Sequence, residues 1–495
     1  MMLMGDLPAV AEDPNSPIAI PPQPGARPVP FFLGQEAPPH PINTRPIPQN
    51  PFVAAGSWAY NYHCDAYQSD TYFIEGPLGH KPQVTSSFWG TNSLTVSPIS
   101  FGQDGWLFAG QLQPDADGSL RWRIKMVHPD TLAILDELAL PKGPFSTDEV
   151  PAGSYWYMDN ADQIVIATAE QTIWAVPHTP DGFDREQITV YDLSGPMGAQ
   201  DSIKCIMPDF FGRVWFITKC GLLGTLDRAK NNGCGRVLGT LALSAGEAAE
   251  NGLATDEDGG MYFVSSHFMY RFDADAEGAP TTTWRESYDA GTHVKVLSRG
   301  SGTTPTLMGT DYVAIADNAD PQIHVLVYRR AKQLLPGQSR LVCAVAVFKP
   351  GQSCTENSFI ATDNAVVVEN NFGARTLKAT MHGKTTEPGI TRLDIASNAG
   401  WLRWNNTEET VTCAATEKLS VKSGLIYAYT KSKGPPDTDA WYFTAIDFHT
   451  GETVYKVLAG TGVLYADPVS SMFIGPNGRL YIGVLGGIVM MQDGP

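Results

Sequence analysis

Four carboxylate–amide pairs, Glu250-Asn251, Asp317-Asn318, Glu356-Asn357 and Glu369-Asn370, stand at matching points of a repeating pattern in this 495-residue chain. A ring of such side chains suits a hard cation such as Ca2+, which takes oxygen ligands. The same groups would hydrogen-bond a polyol or a lactone. The ligand set expected from sequence is Glu250, Asn251, Asp317, Glu356, Asn357 and Glu369, with Ca2+ as the cofactor it would take. The plainer alternative is that these Asn and Asp side chains fold back onto their own backbone at strand ends.

His267 follows Ser265-Ser266 at the end of the hairpin that starts near Glu250. An imidazole that titrates near neutral pH can take a proton and return it, so His267 or Glu250 is the expected general base. His293, in Gly291-Thr-His-Val-Lys, is a further catalytic candidate, just ahead of Arg299-Gly-Ser-Gly-Thr-Thr. His63, in Tyr62-His-Cys-Asp, and His382 sit on segments that the repeat assigns to neither face. Gly300-Ser-Gly-Thr-Thr lacks the lysine and following helix of a phosphate loop, and neither a Gly-x-Ser-x-Gly elbow nor a His-Glu-x-x-His pair occurs.

The elements that must position these groups repeat eight times. Short apolar strands begin at Trp106, Ile164, Val214, Met261, Tyr312, Val366, Leu425 and Leu480, spaced 47 to 59 residues apart. That period belongs to a propeller blade. Turn residues such as Asp258-Gly259-Gly260, Asn477-Gly478 and Asp104-Gly105 precede the strong strand, as a hairpin needs. A third strand follows, as in Thr172-Ile-Trp-Ala-Val, and a fourth, as in Thr453-Val-Tyr-Lys-Val-Leu. The expected fold is all-β: an eight-bladed propeller of four-stranded antiparallel blades over residues 51–495. The last repeat stops after its third strand. Its fourth must come from residues 55–90, where Tyr72-Phe-Ile reads as a strand. Residues 1–50 are proline-rich and should form an extended arm, wrapping the domain or contacting another subunit of a homo-oligomer.

Composition agrees: 48 Gly and 37 Pro imply many turns, and 43% hydrophobic residues can fill a large core. A net charge of −18 argues against nucleic acid and anionic membranes as partners and leaves a small-molecule substrate. No run of 18 apolar residues and no basic leader is present. The chain as written is therefore expected in the cytoplasm, or in the periplasm or outside the cell if a targeting segment has been removed. Seven cysteines include the pairs Cys205/Cys220 and Cys343/Cys354, either of which could bridge in an oxidising compartment. Trp58, Trp156, Trp215 and Trp401 fill blade contacts or wall a ligand.

Glu250-Asn-Gly-Leu-Ala-Thr-Asp-Glu-Asp-Gly-Gly-Met-Tyr-Phe-Val resembles blades of the gluconolactonase and strictosidine-synthase-like propellers. That resemblance implies Glu and Asn around a channel cation and hydrolysis of lactones or esters. The eight-fold repeat, and Thr303-Thr-Pro-Thr-Leu before Asp311-Tyr-Val-Ala, are similar to the pyrroloquinoline-quinone dehydrogenases. The expected function is a small-molecule hydrolase or lyase acting on a lactone, ester or polyol-like compound at the channel. A non-catalytic binding propeller and a quinone-dependent oxidoreductase are the alternatives.

Overall fold

The second strands of the repeats read as unbroken apolar runs because each blade buries both of its faces. In the computed structural model Val313 packs with Tyr262 and Val264 of the blade before it. Ala314, the next residue, packs with Val366 and Val368 of the blade after it. Neighbouring residues thus serve opposite faces, and both faces must be apolar. The structure describes residues 17–55, 60–143, 152–292, 295, 298–374, 376–412, 416–432, 434–467 and 469–495.

Eight antiparallel blades of four propeller strands form the ring. Their inner strands are Thr95–Phe101, Tyr157–Met158, Ile203–Pro208, Ala254–Thr255, Thr306–Met308, Ile360–Ala361, Lys418–Ser420 and Met472–Ile474, for blades 1 to 8 in order. Among the described residues the helical segments are four short 3-10 turns, such as Arg185–Gln187. No helix among them is long and apolar enough to cross a membrane. Ser244–Glu250, the most helical-looking stretch of the sequence, is a loop. Gly246 there takes a left-handed φ of +89°.

The hairpins owe their shape to one recurring device. An aspartate at the end of an inner strand accepts the amides two and four residues on. Asp256 holds Asp258 and Gly260, Asp209 holds Phe211 and Arg213, and Asp159 holds Ala161 and Gln163. The fourth residue of each turn is left-handed, which suits Gly212 and Gly259.

Ring closure comes from residues 55–90, as expected, through Gln83–Phe88 and not through Tyr72-Phe-Ile. Gln83–Phe88 pairs antiparallel with Gly487–Gln492 and completes blade 8. Thr71–Tyr72 does not close the ring. It pairs parallel with Lys418–Ser420 on the channel side of blade 7. The reason is register: Gln83–Phe88 offers six consecutive partners to an open edge, whereas Thr71–Tyr72 offers two to an inner edge. The proline-rich arm lies along its own ring. Phe32–Gly34 adds a strand outside blade 7, Ile42 N–H donates to Val421 O, and Thr44 Oγ1 donates to Asp363 of blade 6. No disulfide joins Cys205 to Cys220 or Cys343 to Cys354.

Candidate functional site

Each inner strand crosses the ring from one face to the other, and the second strand returns. Residues leading into inner strands and leaving second strands therefore share one face, called here the mouth. The hairpin turns share the opposite face.

An inner strand has no neighbour on its channel side, so its N–H groups need acceptors. Residues 60–72 supply them by running through the channel. Met158, Thr255, Leu307, Ala361 and Leu419, from five blades, donate to the carbonyls of Tyr60, Ala66, Tyr67, Ser69 and Asp70. The segment follows the ring by kinking. Cys64, Gln68 and Asp70 are left-handed, and Asp65 Oδ1 accepts the amides of Tyr67 and Ser69. Such a path has no periodicity, so the repeat assigns His63 to no face.

That path brings a histidine, an aspartate and a serine into line. His63 Nδ1 lies 2.9 Å from Asp70 Oδ2, and His63 Nε2 lies 3.2 Å from Ser358 Oγ, just ahead of the inner strand of blade 6. Thr304 N–H donates to the same Ser358 Oγ at 3.0 Å. Burial, the largest influence, holds the His63 imidazole below its ordinary value, while Asp70 opposes that shift. The ring is thus neutral at neutral pH. The Lys418 ammonium pairs with the other oxygen of Asp70, and both side chains are fully buried. Tyr62, Tyr155 and Phe473 wall the site, with the Tyr62 ring 4.9 Å from His63 and 5.5 Å from Tyr155.

Around it stand buried polar groups. Oδ2 of Asp467 and both polar atoms of Asn357 are buried without a hydrogen bond, although buried polar atoms almost always have one, and the Glu369 and Glu417 carboxyls pair with each other. Burial, and then the charge of Glu417, holds Glu369 well above the carboxylate range. Burial likewise pushes Glu417 up to about 7. Asp467 is raised by burial too. The folded chain therefore keeps a proton on the Glu369–Glu417 pair that the unfolded chain releases near pH 4.5. Its contribution to stability is complete below that pH and is lost as the pH rises to about 7. At about 1.4 kcal/mol per pH unit, Glu417→Gln is expected to stabilise the chain at pH 8 by on the order of 3 kcal/mol, with little change at pH 4. Urea melts at the two pH values check this.

The residues expected from sequence divide into separate groups. Glu250 and Glu356 meet at one strap, the segment ahead of blade 5. Arg299 N–H donates to Glu250 at 2.5 Å, and Ser298 N–H and Oγ donate to Glu356 at 3.0 and 3.1 Å. Burial raises Glu250, with a smaller push from Glu356. Asn251 Nδ2 donates to Ser301 O. Asp317 turns to its own blade, where its oxygens accept from His324 N and face His324 Nδ1 at 2.9 Å. Asn357 and Glu369 belong to the buried polar group beside His63. No three of Glu250, Asp317, Glu356 and Glu369 bring carboxylate oxygens within 4.8 Å of one another. His267 is exposed and bonded to Ser266 Oγ at 2.8 Å. His293 lies outside the described residues, as do Trp58 and Cys413. Sequence reasoning missed Asp70, Ser358 and Glu417 and underrated His63. The signal available for Ser358 and Glu417 was their position, directly beside Asn357 and Lys418 at the heads of inner strands.

No family model matches the chain. Over 274 residues it is 24% identical to an uncharacterized protein of Archaeoglobus fulgidus. The match covers 50% of this chain and 52% of that protein, so the chain spans about half the length of the curated relative it matches. Among solved structures it is similar to the Dos1 propeller, with 10% identity and a TM-score of 0.48, covering 85% of this chain and 96% of that one. It is similar to Sqt1 of Saccharomyces cerevisiae at 10% identity and a TM-score of 0.47, over 82% and 97% of the two chains. It is also similar to streptogramin B lyase at 10% identity and a TM-score of 0.39, over 83% and 97%.

Proposed function

We propose that this propeller is a small-molecule hydrolase that cleaves an ester or lactone by acyl transfer at the mouth of its channel. The observation that carries this reading is the Ser358–His63–Asp70 alignment, with contacts of 3.2 and 2.9 Å. Three such side chains in line form a nucleophile, a base and the group that orients the base. Neutral His63 takes the Ser358 proton as Oγ bonds to the substrate carbonyl carbon. Asp70 holds the Nδ1 hydrogen and stabilises the imidazolium. The imidazolium then returns its proton to the leaving alkoxide as the acyl–oxygen bond breaks. Water, activated by the same imidazole, releases the acid and restores Ser358. Asn357, next to the nucleophile and without a partner for its amide, supplies a donor to the oxyanion. Glu369 and Glu417 offer hydroxyl-binding oxygens and a retained proton.

A fluorophosphonate, which reacts only with an activated serine, tests this without a known substrate. One adduct is expected on Ser358 by peptide mass, absent from Ser358→Ala and from His63→Gln. Because His63 is held below its ordinary 6.5, the labelling rate should be flat above that pH and fall only below it. An unlabelled native chain, or labelling indifferent to His63→Gln, would sink the reading. The alternative is a non-catalytic scaffold in which the three side chains tie the channel together. Their near-complete burial, 5%, 2% and 0% exposed for Ser358, His63 and Asp70, is what favours it, and the same probe decides.

A further inference from the structure

On the turn face, away from the mouth, blades 1 and 2 meet at a second group of side chains. Asp104 belongs to the first hairpin turn of blade 1 and Asp162 to that of blade 2. His178 begins a small hairpin, His178–Thr179 with Gly182–Phe183, that leaves blade 2 after its third strand. Among the described residues these three bring one ligand atom each within 4.8 Å of one another.

We infer that they hold a divalent transition-metal ion of the Zn2+ type, which clips blade 1 to blade 2. The decisive side chain is His178. Its imidazole is 3% exposed, yet neither ring nitrogen has a hydrogen-bond partner. Nε2 stands 3.4 Å from Asp162 Oδ2, and Nδ1 stands 3.7 Å from Asp104 Oδ2. Those separations are long for hydrogen bonds. The Nε2–Asp162 separation matches a coordination shell instead, since two donors at about 2.0–2.1 Å from a tetrahedral ion stand about 3.4 Å apart; one imidazole gives one ion a single nitrogen, so Nε2 is the ligand and Asp104 swings to the same ion. A borderline ion with imidazole and carboxylate ligands is the expected class, and two carboxylates with a neutral imidazole balance its charge.

The surroundings fix the ligands in advance. The His178 ring packs on Phe108 with centroids 4.6 Å apart, so packing sets its orientation. Gln103 N–H donates to both oxygens of Asp162, at 2.9 and 3.1 Å. Gly102 stands where blades 2, 3 and 4 carry the turn aspartate. A Cβ there would meet Asp104 Oδ1 at 2.7 Å and His178 Cε1 at 3.3 Å. Asp162 itself occupies the left-handed turn position, φ +61°, that is glycine in blades 3 and 4. Asp104, with a side chain 34% exposed, is the arm that can close on the ion, and water fills the remaining position.

The full chain, stripped with a chelator and dialysed, is titrated with ZnCl2 by calorimetry and its melting followed with and without the ion. One Zn2+ per chain and a raised melting temperature are expected. Asp104→Asn, an exposed change that leaves the fold intact, should weaken that binding at least about tenfold, and Asp162→Asn likewise. Equal Zn2+ affinity in wild type and both variants would place the ion elsewhere and overturn the proposal. So would the absence of binding.

Discussion

Asp70→Asn is expected to slow fluorophosphonate labelling of Ser358 by about 10⁴-fold. Asp70 accepts from Nδ1 of His63, so Nε2 keeps its lone pair toward Ser358. An asparagine amide donates as readily as it accepts and would favour the other tautomer, with the hydrogen on Nε2 and no base for the nucleophile. The same substitution also leaves the buried Lys418 ammonium without its counter-charge. An unpaired charge of that kind costs about 3–5 kcal/mol. The two effects separate in the double variant Asp70→Asn/Lys418→Met. It should regain most of the stability in a urea melt and none of the labelling rate. Recovery of both together would show that Asp70 only holds the channel segment in place.

Breaking the closing strand is expected to cost about 5 kcal/mol or more, beyond the ordinary range of single substitutions. Thr85→Pro/Ser86→Pro removes an N–H from each of the two alternating registers of Gln83–Phe88. Gly487–Gln492 then loses its antiparallel partner. The ring opens there, and the unpaired edge exposes blade 8 to other chains. Loss of a single cooperative urea transition, with association at higher concentration, is the expected readout. Leu33→Pro is the control. It disturbs the strand Phe32–Gly34 outside blade 7, where Leu33 is 39% exposed, and should cost about 1 kcal/mol. Equal losses in the two variants would deny the closing strand its special role.

The repeat was legible because each blade is a local unit that buries two faces. Val366-Val-Val and Met261-Tyr-Phe-Val are apolar throughout for that reason, and Asp256 and Gly259 mark the turn before one of them. Position at the mouth was legible too, since it follows from strand order: Glu250, Glu356 and Asn357 head their inner strands. What the strand order could not show is which of these groups face one another. Asp317 is taken by His324 seven residues away, and Glu250 and Glu356 by the strap Ser298–Arg299.

The ring, the blade count, the N-terminal origin of the closing strand and the face on which inner strands begin all follow from the residue pattern. Periodic burial and turn chemistry are local, and a local rule can be read along the chain. What fills the channel depends on contacts between residues far apart in the chain. His63 meets Ser358 across 295 residues and Asp70 meets Lys418 across 348. Those contacts are made because inner strands need acceptors for their free N–H groups, and one aperiodic segment supplies them. That segment brings the histidine and the aspartate with it.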